Sequence, residues 1–163
     1  SVGWLEEPFP AHDYRSYYEA KKLGRTALAA GENHYTRFEF NRLIEEKNIT
    51  ILQPDLSKSG GLTEVIRISN LASSWRLPIH PHSSKTALNM AASIHLLSTI
   101  DNSGYFEADV SKNNLFRDQL TDIKPYTVDE NGCVQAIDRP GIGLNVDENF
   151  LDNHPVIEGS SYI

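Results

Sequence analysis

The chain has 163 residues, 39% of them hydrophobic and 23% charged, a composition that predicts one soluble globular domain with a core of its own. A net charge of −7 and a pI near 5.3 leave no basic footprint, so we expect neither nucleic acid nor a membrane surface as a partner. One cysteine, Cys133, allows no internal disulfide, and no secretory leader pattern opens the sequence, so the cytoplasm is the expected location.

Strand-like and helix-like segments alternate over the first hundred residues. We predict strands at residues 2–5, 26–30, 49–53, 77–79 and 105–108, and helices at 13–22, 37–46, 63–74 and 85–99. Thr36, followed three positions later by Glu39, predicts a capping box at the start of the second helix. The fourth helix is the most apolar segment, but polar residues interrupt it and it is too short to span a bilayer.

The pattern changes after Asp109, which divides the chain into βα units at residues 1–109 and a tail at residues 110–163. In the tail we predict a helical turn at 113–119 and a hairpin at 126–137, with Asn131 and Gly132 in its tight turn. Residues 139–146 contain two glycines and a proline, which is typical of an irregular segment. We expect the tail to pack back on the barrel or capping region.

Polar residues recur at the ends of the predicted strands. The series consists of Glu6, Glu32, Asp55, His82 and Glu107, spaced 23 to 27 residues apart, about one strand plus one helix. In a (β/α) barrel the C-terminal ends of the strands carry the catalytic groups. The series therefore predicts the active-site rim of an α/β protein of the TIM-barrel type.

The predicted barrel is partial. About five βα units are present, whereas a closed barrel of this type needs eight. Because an open sheet leaves unpaired edges, we expect an upstream half or a partner chain to close the barrel. We expect the 163 residues alone to be incomplete and inactive. A homo-oligomer is the expected assembly.

Six motifs then occur in a familiar order. They are WLEEP at residues 4–8, GEN at 31–33, QPDLSKSGGLTE at 53–64, HPH at 80–82, FE at 106–107 and PGIG at 140–143. In this order they resemble the mandelate racemase/muconate lactonizing enzyme branch of the enolase superfamily. The resemblance covers the second half of that family's barrel, and its capping domain and first three strands have no counterpart in this sequence.

The resemblance implies roles for the strand-end residues. Glu6 and Glu32 correspond to ligands of an essential Mg²⁺, and carboxylate oxygens suit that ion. His82 corresponds to a general base oriented by Asp55, and Glu107 to an acid that hydrogen-bonds the substrate carboxylate, a role that burial would favour. Considered singly, the glutamates could be solvated or salt-bridging carboxylates, Asp55 a loop cap and His82 a loop histidine.

Two further residues lie beyond strand ends and could contact a polyhydroxy substrate. These are His34 and Lys58, each of which could equally be a solvated loop residue. The resemblance implies Mg²⁺-dependent abstraction of the proton α to a carboxylate, with dehydration of a sugar acid as the favoured reaction. Racemisation or epimerisation of a 2-hydroxy acid and a non-catalytic interaction module remain alternatives. A metal-dependent hydrolase is disfavoured, because it would call for several strand-end histidines.

Overall fold

The computed structural model describes residues 2–159. Its elements in chain order are β1 (Trp4–Glu6), α1 (Tyr14–Lys21), β2 (Ala27–Ala30), α2 (Thr36–Glu45), β3 (Ile51–Leu52), α3 (Gly61–Ser74), α4 (Ala87–Leu97), α5 (Leu115–Asp118) and α6 (Glu148–Asp152). The predicted alternation of strand and helix is confirmed through α3, with boundaries that differ by a few residues. α4 is also present, but the fourth strand, predicted at residues 77–79, is reduced to single bridges at Ile79. The short helix α6 was not predicted.

The sheet is parallel and follows the chain order. β1 pairs with β2 and β2 with β3, and single parallel bridges then join Leu52 to Ile79 and Ile79 to Ser103. Five neighbouring parallel positions with helices between them form part of a barrel, as the sequence predicts. The prediction of a fifth strand at residues 105–108 is wrong. The chain pairs with Ile79 at Ser103 instead, and residues 104–109 form no regular strand.

The hydrophobic core lies between the sheet and the helices. Leu52 and Ile79 are fully buried on this side of the sheet, against Phe40 of α2 and Ile68 of α3. Tyr17 of α1 is also fully buried, and its hydroxyl donates to the carbonyl oxygen of Phe9 at 2.9 Å. Such burial stabilises by roughly 1.5–3 kcal/mol per large apolar side chain, which fixes the helices against the strands.

The start of α2 differs from the predicted capping box. The N-cap residue is Tyr35, and Thr36 is already in the helix with a φ of 60°. One of the two hydrogen bonds of a capping box is present, one residue earlier than predicted: the Glu39 carboxylate accepts the backbone N–H of Tyr35.

The tail contains the predicted turn but not the predicted hairpin. Gly132 has a φ of 77°, and the N–H of Asp129 donates to the carbonyl oxygen of Cys133 at 2.9 Å. No strand ladder extends from this turn within residues 126–137, so the hairpin prediction is wrong. The tail contacts α4 where the ring Nε2 of His95 lies 3.3 Å from the carbonyl oxygen of Ile142.

The lengths and hydropathy of the helices bear on membrane association. Within residues 2–159, no helix is long and apolar enough to cross a membrane.

Gly31 at the end of β2 generates a testable prediction about stability. Its φ is 154°, and a Cβ at this position would lie 2.5 Å from the carbonyl carbon of Gln53. We expect Gly31→Ala to lower the free energy of unfolding by about 1–3 kcal/mol, because the backbones of β2 and β3 must separate. Urea unfolding of the full protein measures this. Gly24→Ala is the control, since a Cβ there meets nothing within 4 Å, and equal stability of the two variants would contradict the prediction.

Candidate functional site

An aromatic layer lies beneath the strand-end residues. The rings of Trp4, His80 and Tyr105 meet, with centroids 5.2 Å apart for Trp4–His80, 5.9 Å for Trp4–Tyr105 and 5.3 Å for His80–Tyr105. Each stands two residues before one of the predicted site residues, namely Glu6, His82 and Glu107. Side chains two positions apart in an extended chain share a face, so the polar residues form the next layer along the strands.

Asp55 and His82 form a buried pair. The Oδ2 atom of Asp55 lies 2.8 Å from Nδ1 of His82. Asp55 is fully buried and His82 is 8% exposed. The other carboxylate oxygen, Oδ1, accepts the backbone N–H of Ser57 at 2.8 Å and the side-chain amide of Asn89 at 3.1 Å. The structure thus brings together the two residues predicted as a dyad.

Burial and hydrogen bonding have opposite effects on the pKa values of this pair. Desolvation raises the pKa of Asp55, but hydrogen bonds from His82 and Ser57 outweigh it and leave that pKa below its ordinary value. Desolvation likewise lowers the pKa of His82, but the hydrogen bond to Asp55 and the charges of Glu107 and Glu32 raise it above 6.5. Both shifts favour a carboxylate beside an imidazole that binds protons readily.

Glu32 lies on the other side of the His82 ring. Its Oε2 atom is 3.0 Å from Nε2 of His82, and its Oε1 atom is 3.5 Å from Nζ of Lys58. The hydroxyl of Ser84 also lies 3.2 Å from Nε2 of His82. Lys58, which the sequence predicted as a substrate contact, therefore stands beside the predicted base and a predicted metal ligand.

Glu6 stands at the end of the strand adjacent to β2. Its carboxylate accepts the indole N–H of Trp4 at 3.3 Å, and the residue is exposed. Its neighbour Glu7 is oriented differently and accepts the side-chain amide of Asn33 at 2.7 Å.

The donor set tests whether Mg²⁺ fits this edge of the sheet. Glu6 and Glu32 supply hard carboxylate oxygens from neighbouring parallel strands, and Mg²⁺ is commonly held by one or two carboxylates, with waters and substrate oxygens in the remaining positions. Among residues 2–159 no group of three His, Cys, Asp or Glu side chains is placed to hold an ion. The chemistry of the two glutamates is compatible with the metal.

Glu107 is tied to the segment that carries His82. Its Oε2 atom accepts the backbone N–H of Ser83 at 2.8 Å, and its backbone carbonyl accepts the Ser83 hydroxyl at 2.8 Å. The residue is exposed, so this chain does not provide the burial on which a protonated Glu107 was predicted.

His34 does not join the site, which corrects its prediction as a substrate contact. A turn from Gly31 to His34, closed by a 3.0 Å backbone hydrogen bond, directs the ring into the helix side of the sheet. There it is 2% exposed, packs between Tyr14 and Phe40, and places Nε2 3.1 Å from the carbonyl oxygen of Ala11.

Sequence reasoning missed Asn89 and Ser83, the residues that hold Asp55 and Glu107. The one signal for Asn89 was its place among the few polar residues of the mostly apolar helix α4, a signal that Ser93 and His95 share. Nothing in the sequence links it to Asp55, because the two are 34 residues apart.

Comparison with known proteins supplies independent information. Residues 1–150 match the family described as enolase C-terminal domain-like. A D-galactonate dehydratase from Ralstonia nicotianae is 31% identical over 151 residues, which cover 91% of this chain and 40% of the relative. The chain thus spans about 40% of the length of the curated relatives it matches.

Two solved structures are similar over nearly the whole chain. A member of the enolase superfamily from Polaromonas sp. JS666 has 48% identity and a TM-score of 0.93, covering 99% of this chain and 43% of its own. The 3,6-anhydro-D-galactonate cycloisomerase from Zobellia galactanivorans has 30% identity and a TM-score of 0.84, covering 94% of this chain and 42% of its own.

The Asp55–His82 pair generates a prediction about titration in the metal-free protein. Because the folded-state pKa of His82 is raised, its protonation adds stability that is complete below about pH 6.5 and is lost as pH rises through the folded-state pKa. We expect Asp55→Asn to lower the titration midpoint of the His82 ring, measured by NMR. Asp101→Asn, at an exposed carboxylate bonded to Ser73, should leave it unchanged. An unaltered midpoint in Asp55→Asn would refute the assignment.

Proposed function

Because the chain belongs to the enolase C-terminal domain-like family, we propose that it carries the proton-abstracting residues of an enzyme that dehydrates a sugar acid. The observation that carries the proposal is the buried Asp55–His82 pair, at 2.8 Å, at the ends of neighbouring strands. The D-galactonate dehydratases among its relatives support the choice of reaction. Since the chain spans about 40% of their length, the proposal concerns the full protein.

His82 is the proposed general base. Asp55 accepts a hydrogen bond from the Nδ1–H group of His82. This fixes the tautomer and leaves the lone pair on Nε2 available. That nitrogen takes the proton from the carbon beside the substrate carboxylate. Burial lowers the pKa of His82, but the hydrogen bond to Asp55 and the charges of Glu107 and Glu32 outweigh it and raise that pKa, so the ring can take the proton and later release it to the leaving group.

Glu6 and Glu32 would hold the Mg²⁺ that the family implies. When bound, this ion supplies Lewis-acid stabilisation of the negative charge that develops on the substrate carboxylate. In the structure Glu32 contacts His82 and Lys58, so binding of the ion would exchange these contacts for metal coordination.

Glu107 and Lys58 complete the proposed site. Glu107 remains the proposed acid that hydrogen-bonds the substrate carboxylate, and Oε1 is the oxygen proposed for this role because Oε2 accepts the Ser83 N–H. The Lys58 ammonium lies 3.5 Å from the Glu32 carboxylate and would attract an anionic acid. The protonated His82 ring then gives the abstracted proton to the 3-hydroxyl, which leaves as water, and the enol that remains tautomerises to a 2-keto-3-deoxy acid.

Exchange of the substrate α-hydrogen tests the proposal directly. We expect the full protein, with Mg²⁺ in D₂O, to exchange this hydrogen in at least one acid of an aldonic and aldaric panel and to form the keto product. Exchange without loss of water would indicate racemisation instead. No exchange with any acid, despite bound metal, would reject the enzyme proposal.

His82→Asn tests the base. We expect the variant to bind Mg²⁺ normally and to lose about 10²- to 10⁴-fold in turnover, because it has no group that can take the proton. Steady-state kinetics measure the loss, and calorimetry checks the metal. His12→Asn alters an exposed histidine and should retain wild-type rates. Turnover retained in His82→Asn would remove His82 from the mechanism.

Glu32→Gln tests the metal site. An amide is a neutral and weaker ligand, so we expect Mg²⁺ affinity, measured by calorimetry, to fall by about 10-fold or more. Glu45→Gln, on the exposed side of α2, is the control for loss of one negative charge. Equal Mg²⁺ affinities of the two variants would argue against Glu32 as a ligand.

A further inference from the structure

We propose that Asn89 is a positioning residue, whose side-chain amide holds Asp55 in the orientation that directs its Oδ2 atom to His82. The proposal rests on the proposed function, because it assigns Asn89 to the same proton-abstracting pair. Among the described residues the Asn89 side chain forms a hydrogen bond to Asp55 alone, so its proposed role is exerted through that carboxylate.

The contact joins two separate elements. Asn89 lies in the first turn of α4, and its Nδ2 atom donates to Oδ1 of Asp55 at 3.1 Å. The first turn of α4 is itself fixed, because the backbone N–H of Asn89 donates to Oγ1 of Thr86, the N-cap residue, at 3.2 Å. The Asp55 carboxylate therefore connects the N-terminal end of α4 to the loop after β3.

The two oxygens of Asp55 have different partners. Oδ1 accepts from Ser57 and Asn89, and Oδ2 faces Nδ1 of His82. Ser57 is two residues from Asp55 in the same loop, so it moves with the carboxylate and cannot orient it relative to the rest of the fold. Asn89 is the one donor to Oδ1 that comes from a different element among the described residues.

The burial of Asn89 indicates that its amide donor is needed. The residue is 5% exposed, and its own Oδ1 atom has no hydrogen-bond partner among residues 2–159. A buried carbonyl oxygen without a partner is unfavourable, and a leucine of similar volume would avoid this cost. The donor to Asp55 is what the asparagine provides and a leucine lacks.

Asn89→Leu and Asn89→Ala in the full protein test the proposal, with two readouts. The first readout is steady-state kinetics with the acid that the α-hydrogen exchange experiment shows to be a substrate, which gives kcat and KM separately. The second is the low-field Nδ1–H proton resonance of His82, assigned by its absence in His82→Asn. Two variants are used because either one alone could fail to fold, which circular dichroism reveals.

Ser93→Ala and Thr86→Ala are the matched controls. Ser93 lies one turn further along α4, is fully buried, and its hydroxyl has no partner among the described residues. Thr86→Ala removes the N-cap hydrogen bond of α4 and so controls for a loss of helix stability. We expect Thr86→Ala to lower the melting temperature, and we expect Ser93→Ala to keep wild-type kcat and the wild-type resonance.

We expect the Asn89 variants to lose about 10-fold or more in kcat, with KM unchanged within about twofold, and to lose or shift the His82 resonance. Wild-type kcat, or an unaltered resonance, in a folded Asn89 variant would overturn the positioning role. If the wild-type protein exchanges no α-hydrogen, the proposed function fails, and the resonance alone then decides for or against Asn89.

Discussion

Asp55 has no exposed surface, and a carboxylate in that position must be compensated by hydrogen bonds from every side. Its partners come from three places in the chain: its own loop, the segment after the fourth strand position, and the start of α4. Because one charged group requires all three, the loop after β3 can adopt this conformation only when its neighbours are also in place. The hydrogen bonds that the buried Asp55 carboxylate requires thus determine the geometry of the candidate site.

The parallel strands explain why one edge of the sheet carries the chemistry. Alternate residues of each strand face the same side, so the core takes Leu52 and Ile79 while His80 and His82 face away from the helices. Two residues before Glu6, His82 and Glu107 stand the aromatic side chains of Trp4, His80 and Tyr105, which form a layer under the carboxylates and the imidazole. Core residues and candidate site residues therefore alternate along the same extended segments.

The sequence alone correctly predicted the features that depend on neighbouring residues in the chain. The alternation of elements, and the position of Asp55 and His82 at strand ends, follow from hydrophobic periodicity and motif order. His34 was misplaced because one turn after Gly31 decides which side of the sheet receives the ring. The proposed role of Asn89 depends on packing between distant segments, and Tyr126, before the turn at Gly132, donates to the carbonyl oxygen of Asp109 rather than joining a ladder across the turn. No local signal predicted either outcome.

The aromatic layer also makes the molecule optically informative. Of its two tryptophans, Trp4 donates its indole N–H to the Glu6 carboxylate, whereas Trp75 follows α3, beside Lys47 and before the fourth strand position begins. Indole emission responds to nearby charge, so displacement or neutralisation of Glu6 alters the fluorescence of Trp4, with Trp75 as a steady background. The protein contains its own spectroscopic reporter of the strand-end carboxylates, with no attached dye.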